Sequence, residues 1–331
     1  MRPTRRGWAV VGVLVVAFAT ASVYGPRGLN AVVAPGVVAL AAAVWQLYRF
    51  EPPRLTREHP ERGERGATVR VRLDFETDTP LSARVAESIG EGVSATGAEA
   101  EVSLGDTTLA YDLHLDERGE HALGPTTVVV RDVLGLLRQR FPYPGSGRIV
   151  VHPRVHLLSA PKREALASLH GGVGDDRQVV DGLRTYRRGD PLRDVHWKSS
   201  AKQPDDGLVV KQFATDESAR SVEIAAESSA TAADGMAEAA ASVAAALLES
   251  GVRVGLTTPS GRVDPDDSGG LRAILDHLAT ADAGSLHAGV RRDADVLVEG
   301  AGRGVRVTID GRTHDFSDVA GDAPTAAEVA A

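Results

Sequence analysis

The densest run of chemically capable side chains lies at residues 186–202, where Tyr186, Arg187, Arg188, Asp190, Arg193, His196, Trp197 and Lys198 crowd together in a chain of formal net charge -8. Arginines flanking a tryptophan suit docking of an acidic partner, since Arg and Trp are common interface hot spots. The same residues also suit internal packing, with Trp197 wedged between two domains and Arg187 or Arg193 paired with Asp190 or Asp194. Arginine can grip phosphate through two parallel hydrogen bonds, but no Gly-rich phosphate loop accompanies this run. His196, Asp190 or Asp194, and Ser199 or Ser200 supply the residue types of a nucleophilic triad. They share one short helix, on which nucleophile, base and orienting group do not converge. The chain has no cysteine, which excludes thiolate nucleophiles, disulfides and Cys-ligated metals. Its ten histidines are scattered without metal-ligand spacing.

The elements that must position this motif are readable on both sides of it. Gly189-Asp190-Pro191 is a helix start, with Asp190 as cap and Pro191 in the first turn. The spacing predicts a short helix over 191–201 and a strand over 208–213. Upstream, Val69, Val71, Leu73 and Phe75 alternate with polar residues, and short strands are predicted near 81–89, 99–104, 107–115, 121–131 and 147–151. Short strands separated by Gly, Pro and Asp predict a β-sandwich over 67–155. Downstream, strands near 222–226, 252–258, 294–298 and 304–309 alternate with helices at 236–250 and 271–279. That alternation predicts an α/β domain over 221–320, built on a parallel or mixed sheet. Residues 156–220 join the two domains, and 321–331 read as a frayed tail.

The N-terminus is of another kind. Residues 8–24 and 31–48 are uncharged and apolar, with Trp8, Tyr24, Trp45 and Tyr48 at or near their ends. Spans of this length reach across a bilayer core, and aromatic rings favour its headgroup level. Gly25-Pro26-Arg27-Gly28 turns the chain between them, so 1–50 is predicted to be a transmembrane helical hairpin. Arg2, Arg5 and Arg6 precede it; Arg49, Arg54, Arg57, Arg62 and Arg65 follow it; only Arg27 lies in the turn. This asymmetry places both ends in the cytoplasm of the cell membrane. Arg5-Arg6 followed by Ala19-Thr20-Ala21 leaves open an exported reading with a cleaved signal. The polar, proline-containing stretch 51–66 reads as a juxtamembrane linker. The acidic balance argues against a general nucleic-acid binder.

Three stretches resemble the DUF58 family. The first is Arg118-Gly119-Glu120-His121-Ala122-Leu123-Gly124-Pro125 followed by Asp132-Val133-Leu134-Gly135-Leu136, with Val133 where the family usually has proline. The second is Val151-His152-Pro153. The third, and most specific, includes Tyr186-Arg187-Arg188-Gly189-Asp190, Arg193, His196-Trp197-Lys198, Ser200-Ala201 and Leu208-Val209-Val210. The resemblance covers most of the chain. It implies a bacterial or archaeal membrane protein that works with a MoxR-type AAA+ ATPase in assembling or maturing other proteins. It also implies a C-terminal region like a von Willebrand factor A (VWA) domain, truncated, and it implies no enzymatic activity. Metal-binding VWA domains carry Asp-x-Ser-x-Ser after the first strand. Here Glu227-x-Ser229-x-Thr231 imitates the spacing with a longer acid, so a degenerate site or an ordinary first helical turn is expected.

The resulting expectation is a membrane-anchored α+β protein made of a transmembrane helical hairpin, a β-sandwich and a truncated VWA-like α/β domain. It reads as a non-enzymatic adaptor without cofactor, nucleic-acid partner or small-molecule substrate, and with Tyr186, Arg187, Arg188, Asp190, Arg193, His196, Trp197 and Lys198 as the expected partner-binding residues. A metal-dependent VWA-type binding module is the second reading and a hydrolase the third.

Overall fold

The computed structural model describes residues 1–24, 30–105, 107–145, 147–159, 163, 166, 180–185, 209–213, 221–265 and 268–320. The chain forms two units, Met1–His152 and Pro153–Ala331, each with its own hydrophobic core. The whole is mixed α+β, with most ordered elements in sheets.

The first unit runs β1 (Arg2–Pro3), α1 (Arg5–Tyr24), α2 (Asn30–Arg49), β2 (Arg54–Glu58), β3 (Arg62–Glu64), β4 (Thr68–Glu76) and β5 (Ser82–Ile89). It continues with β6 (Val93–Thr96), β7 (Glu99–Ser103), β8 (Thr107–Leu115), β9 (Gly119–Arg131), β10 (Leu137–Tyr143) and β11 (Gly147–His152). One sheet has the order β2-β4-β8-β6. The other is built on the long strand β9, which takes β5 along one edge and β10 then β11 along the other. β7 adds to β5, β1 to β10 and β3 to β11. Strand alternation explains the layers. Val71, Leu73 and Phe75 of β4, Tyr111, Leu113 and Leu115 of β8, and Leu123, Val128 and Val130 of β9 all point into one core, while their neighbours face out. Each such aliphatic side chain contributes about 1.5–3 kcal/mol on burial.

The stretch 51–66 is not a linker. β2 pairs antiparallel with β4, and β3 runs parallel to β11, so both are sandwich strands. Their polarity hides this, because Arg57 occupies an inward position of β2 with only 12% of its side chain exposed.

The helices are joined to the sandwich at their polar ends. Leu47 and Phe50 are buried in its core, and the Phe50 ring lies 5.7 Å from that of Phe141. At the other terminus, the Thr4 backbone N–H donates to the Leu136 carbonyl at 2.8 Å and its hydroxyl to the Gly135 carbonyl at 2.6 Å. Gly36 allows close approach of the two helices, since a Cβ there would lie 2.6 Å from a Leu14 methyl. Outward, Trp8, Phe18, Trp45 and Tyr48 are 64, 70, 63 and 80% exposed. Apolar surface of that extent is rarely left to water. The stretch Arg5–Ser22 is long and apolar enough to cross a membrane by length and composition; the apolar stretch described in α2, Val33–Arg49, is shorter.

In the second unit, β12 (Val180–Thr185) and β13 (Val209–Phe213) form an antiparallel ribbon. There follow β14 (Ser221–Ser228), a 3-10 turn at Ala230–Ala232, α3 (Ala233–Glu249), β15 (Arg253–Thr258), β16 (Gly261–Val263) and α4 (Leu271–Thr280). α5 (Ala288–Asp293), β17 (Val296–Ala301), β18 (Gly304–Ile309), β19 (Arg312–Asp315) and α6 (Phe316–Val319) complete it. The sheet order is β16-β15-β14-β17-β18-β19, with β15, β14 and β17 parallel and the outer pairs antiparallel. α3 packs on the sheet through an almost continuous alanine face around Met236, Val243 and Leu247. It ends where Gly251, at φ 77°, turns the chain and the Val252 N–H reaches the Leu247 carbonyl at 3.1 Å. His156 crosses α3: its N–H donates to the Ser242 hydroxyl at 2.9 Å and its ring faces Glu238 at 3.2 Å.

Candidate functional site

Tyr186, Arg187, Arg188, Asp190, Arg193, His196, Trp197 and Lys198, with the helix expected over 191–201, lie outside the described residues. The strands that bracket them are described. The chain leaves β12 at Thr185 and enters β13 at Val209, and these two residues are register partners. The motif is therefore the connection of a two-stranded antiparallel ribbon.

The second candidate is described in full. In an open α/β sheet, ligand-binding groups gather at the C-terminal ends of the parallel strands, and Glu227 is the penultimate residue of β14. Its two carboxylate oxygens are already engaged. One accepts the Leu286 backbone N–H at 2.7 Å, and the other faces the Arg291 guanidinium at 3.3 Å. Arg291 also reaches Glu299 at 2.7 Å, so it bridges β14 and β17. The Thr231 hydroxyl donates to the Gly302 carbonyl at 2.9 Å, and the Ser229 hydroxyl lies 3.4 Å from that of Thr231. Thus Glu227 ties the strand end to the 281–287 loop and α5, while Ser229 and Thr231 turn to the β17–β18 hairpin. Ser229 precedes a 3-10 turn without a side-chain cap, where a first helical turn was the alternative to a degenerate site. Among the described residues, no group of three or more His, Asp or Glu is placed to hold a metal ion.

Millimolar Mg²⁺ is expected to leave the melting temperature unchanged in both the parent and Glu227→Ala, because the parent carboxylate has no oxygen to spare. A rise in the parent that disappears in Glu227→Ala would reveal a bound cation, since any ligand of the native state stabilises it by mass action.

One histidine sits at the end of another parallel strand. His277 of α4 places Nε2 within 2.8 Å of the Thr258 hydroxyl, which also accepts the Ser260 N–H at 3.2 Å. Burial pushes the imidazole below its ordinary range. The pair closes the β15–β16 turn.

Two polar arrangements in the first unit were not found from the sequence. Glu87 of β5 is buried, and its carboxylate meets Arg57 Nε at 2.7 Å. Arg57 also donates to the Thr126 hydroxyl at 2.9 Å and the Gly145 carbonyl at 3.0 Å. Burial, then the adjacent Glu87 charge, push the Tyr111 hydroxyl above its usual range. This cluster links the two sheets. Gly124, at φ 97°, makes room for it: a Cβ there would lie 2.8 Å from an Arg57 nitrogen.

The other arrangement is the β9–β10 turn. The buried Asp132 carboxylate accepts the N–H groups of Leu134, at 3.0 Å, and Leu137, at 2.5 Å. Gly135 takes the left-handed conformation at φ 68°, Leu136 is buried, and Val133 and Leu134 are left outside. The Asp-Val-Leu-Gly-Leu sequence is thus a turn that exposes two apolar residues. Its Asp-x-x-Gly pattern is itself a turn signal.

No family model and no curated protein matches the chain. Among solved structures, the PKD domain of an M14-like peptidase from a Thermoplasmatales archaeon is 12% identical over 30% of this chain and 96% of that domain, with a TM-score of 0.22. A cohesin module from a Clostridium perfringens family 33 glycoside hydrolase is 14% identical over 31% of this chain and 98% of the module, at 0.22. The CARDB domain of a Pyrococcus furiosus protein is 16% identical over 31% of this chain and 96% of that domain, at 0.21. At these scores the likenesses add nothing to the sandwich as described from its own strands.

Proposed function

We propose that the protein is a membrane-held adaptor, with α1 and α2 as a two-span hairpin and both soluble units on the cytoplasmic side. The observation that carries this reading is the treatment of the helices. Their long faces expose Trp8, Phe18, Trp45 and Tyr48, while Leu47, Phe50 and Thr4 fasten their ends to the sandwich. Such a pair suits an anchor that transmits a fixed orientation to the domain above it. Orientation rests on the arginines outside the two spans.

In the second unit, a parallel β15-β14-β17 core with α3 following β14 supports a truncated VWA-like domain. The partner proposed from the DUF58 resemblance is a MoxR-type AAA+ ATPase, contacted through the Arg- and Trp-rich 186–202 connection. The metal-dependent alternative is disfavoured because Glu227 already holds Leu286 and Arg291. A hydrolase is disfavoured by the one-helix spacing of His196, Asp194 and Ser199.

Capture of that ATPase by the full chain in detergent tests the reading. Arg193→Ala and Trp197→Ala are each expected to weaken capture about thirtyfold, the effect of losing roughly 2 kcal/mol at a hot spot. Arg193→Glu should be worse, and salt should weaken the parent contact. Unchanged capture by all three variants would overturn the proposal. So would variants that lose capture only together with an early melting transition, for then the motif is internal packing.

A further inference from the structure

The first unit carries an arrangement of arginines that a sheet does not favour by itself. In register, Arg2 of β1 faces Arg138 of β10, and Arg138 faces Arg131 of β9. In the adjacent row, Arg140 and Arg84 flank Val129. Like charges directly opposite one another destabilise strand pairing. Two of the five are compensated: Arg84 pairs with Glu99, whose carboxyl it holds below the usual range, and Arg131 lies 3.3 Å from Glu101. Arg2 and Arg138 have no ion pair among the described residues, and Arg140 reaches only the Thr127 hydroxyl, at 3.2 Å. Arg2, Arg84, Arg138 and Arg140 line a single open cavity of about 710 Å³. Glu99, paired with Arg84, lines the same wall, so Arg2, Arg138 and Arg140 are the lining arginines without an ion pair among the described residues.

The cavity lies close to the start of the apolar stretch of α1. Arg2 lies three residues before Arg5, where the apolar stretch of α1 begins, about 10 Å at strand rise. Thr4 fixes that spacing by binding the Gly135 and Leu136 carbonyls. The same turn presents Val133 and Leu134, 78% and 50% exposed, and the Val133 N–H donates to the Gln46 side chain in the last turn of α2 at 3.1 Å. One turn of helix holds Trp45, with the Arg49 guanidinium 5.4 Å over its ring. The apolar tip, Trp45 and Arg49 thus lie beside the end of α2, and Arg2 beside the start of α1. Aromatic rings and apolar tips favour the headgroup boundary, and juxtamembrane arginines favour anionic lipid.

We propose that this face seats the phosphate-bearing headgroup of an anionic phospholipid, clamped by Arg2, Arg138 and Arg140, with Val133 and Leu134 inserted beside the acyl chains. The proposal rests on the reading of α1 as a membrane span. Headgroup binding supplies the counter-charge that Arg2, Arg138 and Arg140 lack among the described residues and covers the apolar tip.

The test uses the full chain purified in a neutral detergent, with melting followed while lipid is titrated into the micelles. Phosphatidylglycerol is expected to raise the melting temperature of the parent, and phosphatidylcholine at equal mole fraction to leave it unchanged. The triple variant Arg2→Gln, Arg138→Gln, Arg140→Gln should need roughly 100-fold more phosphatidylglycerol for the same shift, at a few-fold per charge. Without lipid the triple variant should melt no earlier than the parent, because it removes repulsion; were it to misfold, Arg138→Gln alone should still need several-fold more lipid. Equal responses to both lipids, an unaltered titration in the arginine variants, or full competition by millimolar inorganic phosphate would each overturn the proposal, the last by revealing a free-anion site. Alkaline carbonate extraction separates the two levels of failure. A protein released by carbonate was not spanning, whereas one that stays in the membrane without a phosphatidylglycerol response refutes the headgroup site alone.

Discussion

Glu87→Ala is expected to destabilise the sandwich by about 3–5 kcal/mol, because it strands the Arg57 guanidinium inside the protein without its counter-ion. For a unit of this size the melting transition should fall by at least about 6 °C. The Glu87 side chain is fully buried and that of Arg57 nearly so, with their charged atoms 2.7 Å apart. Water therefore cannot take over the role of the missing carboxylate, as it does at exposed pairs. Arg57→Ala should be similarly costly, since it leaves the Glu87 carboxylate beside Tyr111 and frees the Thr126 and Gly145 acceptors. The double variant Arg57→Met, Glu87→Leu should melt much closer to the parent than either single variant, since apolar replacement of a whole buried pair is often neutral. Thermal melts of the four proteins form a double-mutant cycle. Additive losses would show that the two residues do not act as a pair.

Ile224→Ala is expected to cost the second unit about 2–5 kcal/mol, while Ile224→Val should cost only about 0.5–1.5 kcal/mol. Ile224 is 1% exposed in the central parallel strand, with Leu256 and Val296 as its register partners. The helix over this sheet buries mainly alanines: Ala237, Ala239, Ala240, Ala241 and Ala244 are all inaccessible. Small side chains bring the helix backbone close to the sheet but contribute little area each. The larger residues of this core, among them Ile224, Met236, Leu247 and Leu256, therefore contribute more apolar burial each than the alanines do. The alanines that face the sheet are too short to fill the vacated space, so a cavity term adds to the lost transfer energy. A melting transition lowered by at least about 4 °C is the corresponding thermal readout. Equal effects of the Ala and Val replacements would contradict a tightly packed site.

The sequence made the better part of both sheets legible, for a physical reason that also explains the gaps. Val69 to Phe75 alternate cleanly because one face meets the core and the other meets water, and β4 is where that pattern puts a strand. β2 breaks the rule by pointing Arg57 inward, so its charge read as a linker and as part of the basic flank. β10 mixes Gln139 and Pro142 into its alternation and escaped notice for the same kind of reason. In the second unit, the helix and strand periods placed α3, β15 and β18, whereas β16, α5 and β19 have three to six residues and show no period to read. The candidate site fared differently. The role of Glu227 depends on Leu286, 59 residues away, and on Arg291 beyond it, and no local pattern announces such partners. The arginine rows on the outer face were equally hidden, because Arg2, Arg138 and Arg131 become neighbours only through strand register.

Because the chain contains no cysteine, its orientation can be read with single introduced thiols. Ser82→Cys reports the sandwich and Ser260→Cys the α/β unit, both at exposed positions. In intact cells, a membrane-impermeant thiol reagent should leave both residues unlabelled, and permeabilising the cells should expose both. That is the outcome required of an anchor whose soluble units meet a cytoplasmic ATPase. Labelling of both thiols in intact cells would put the units outside and contradict the account.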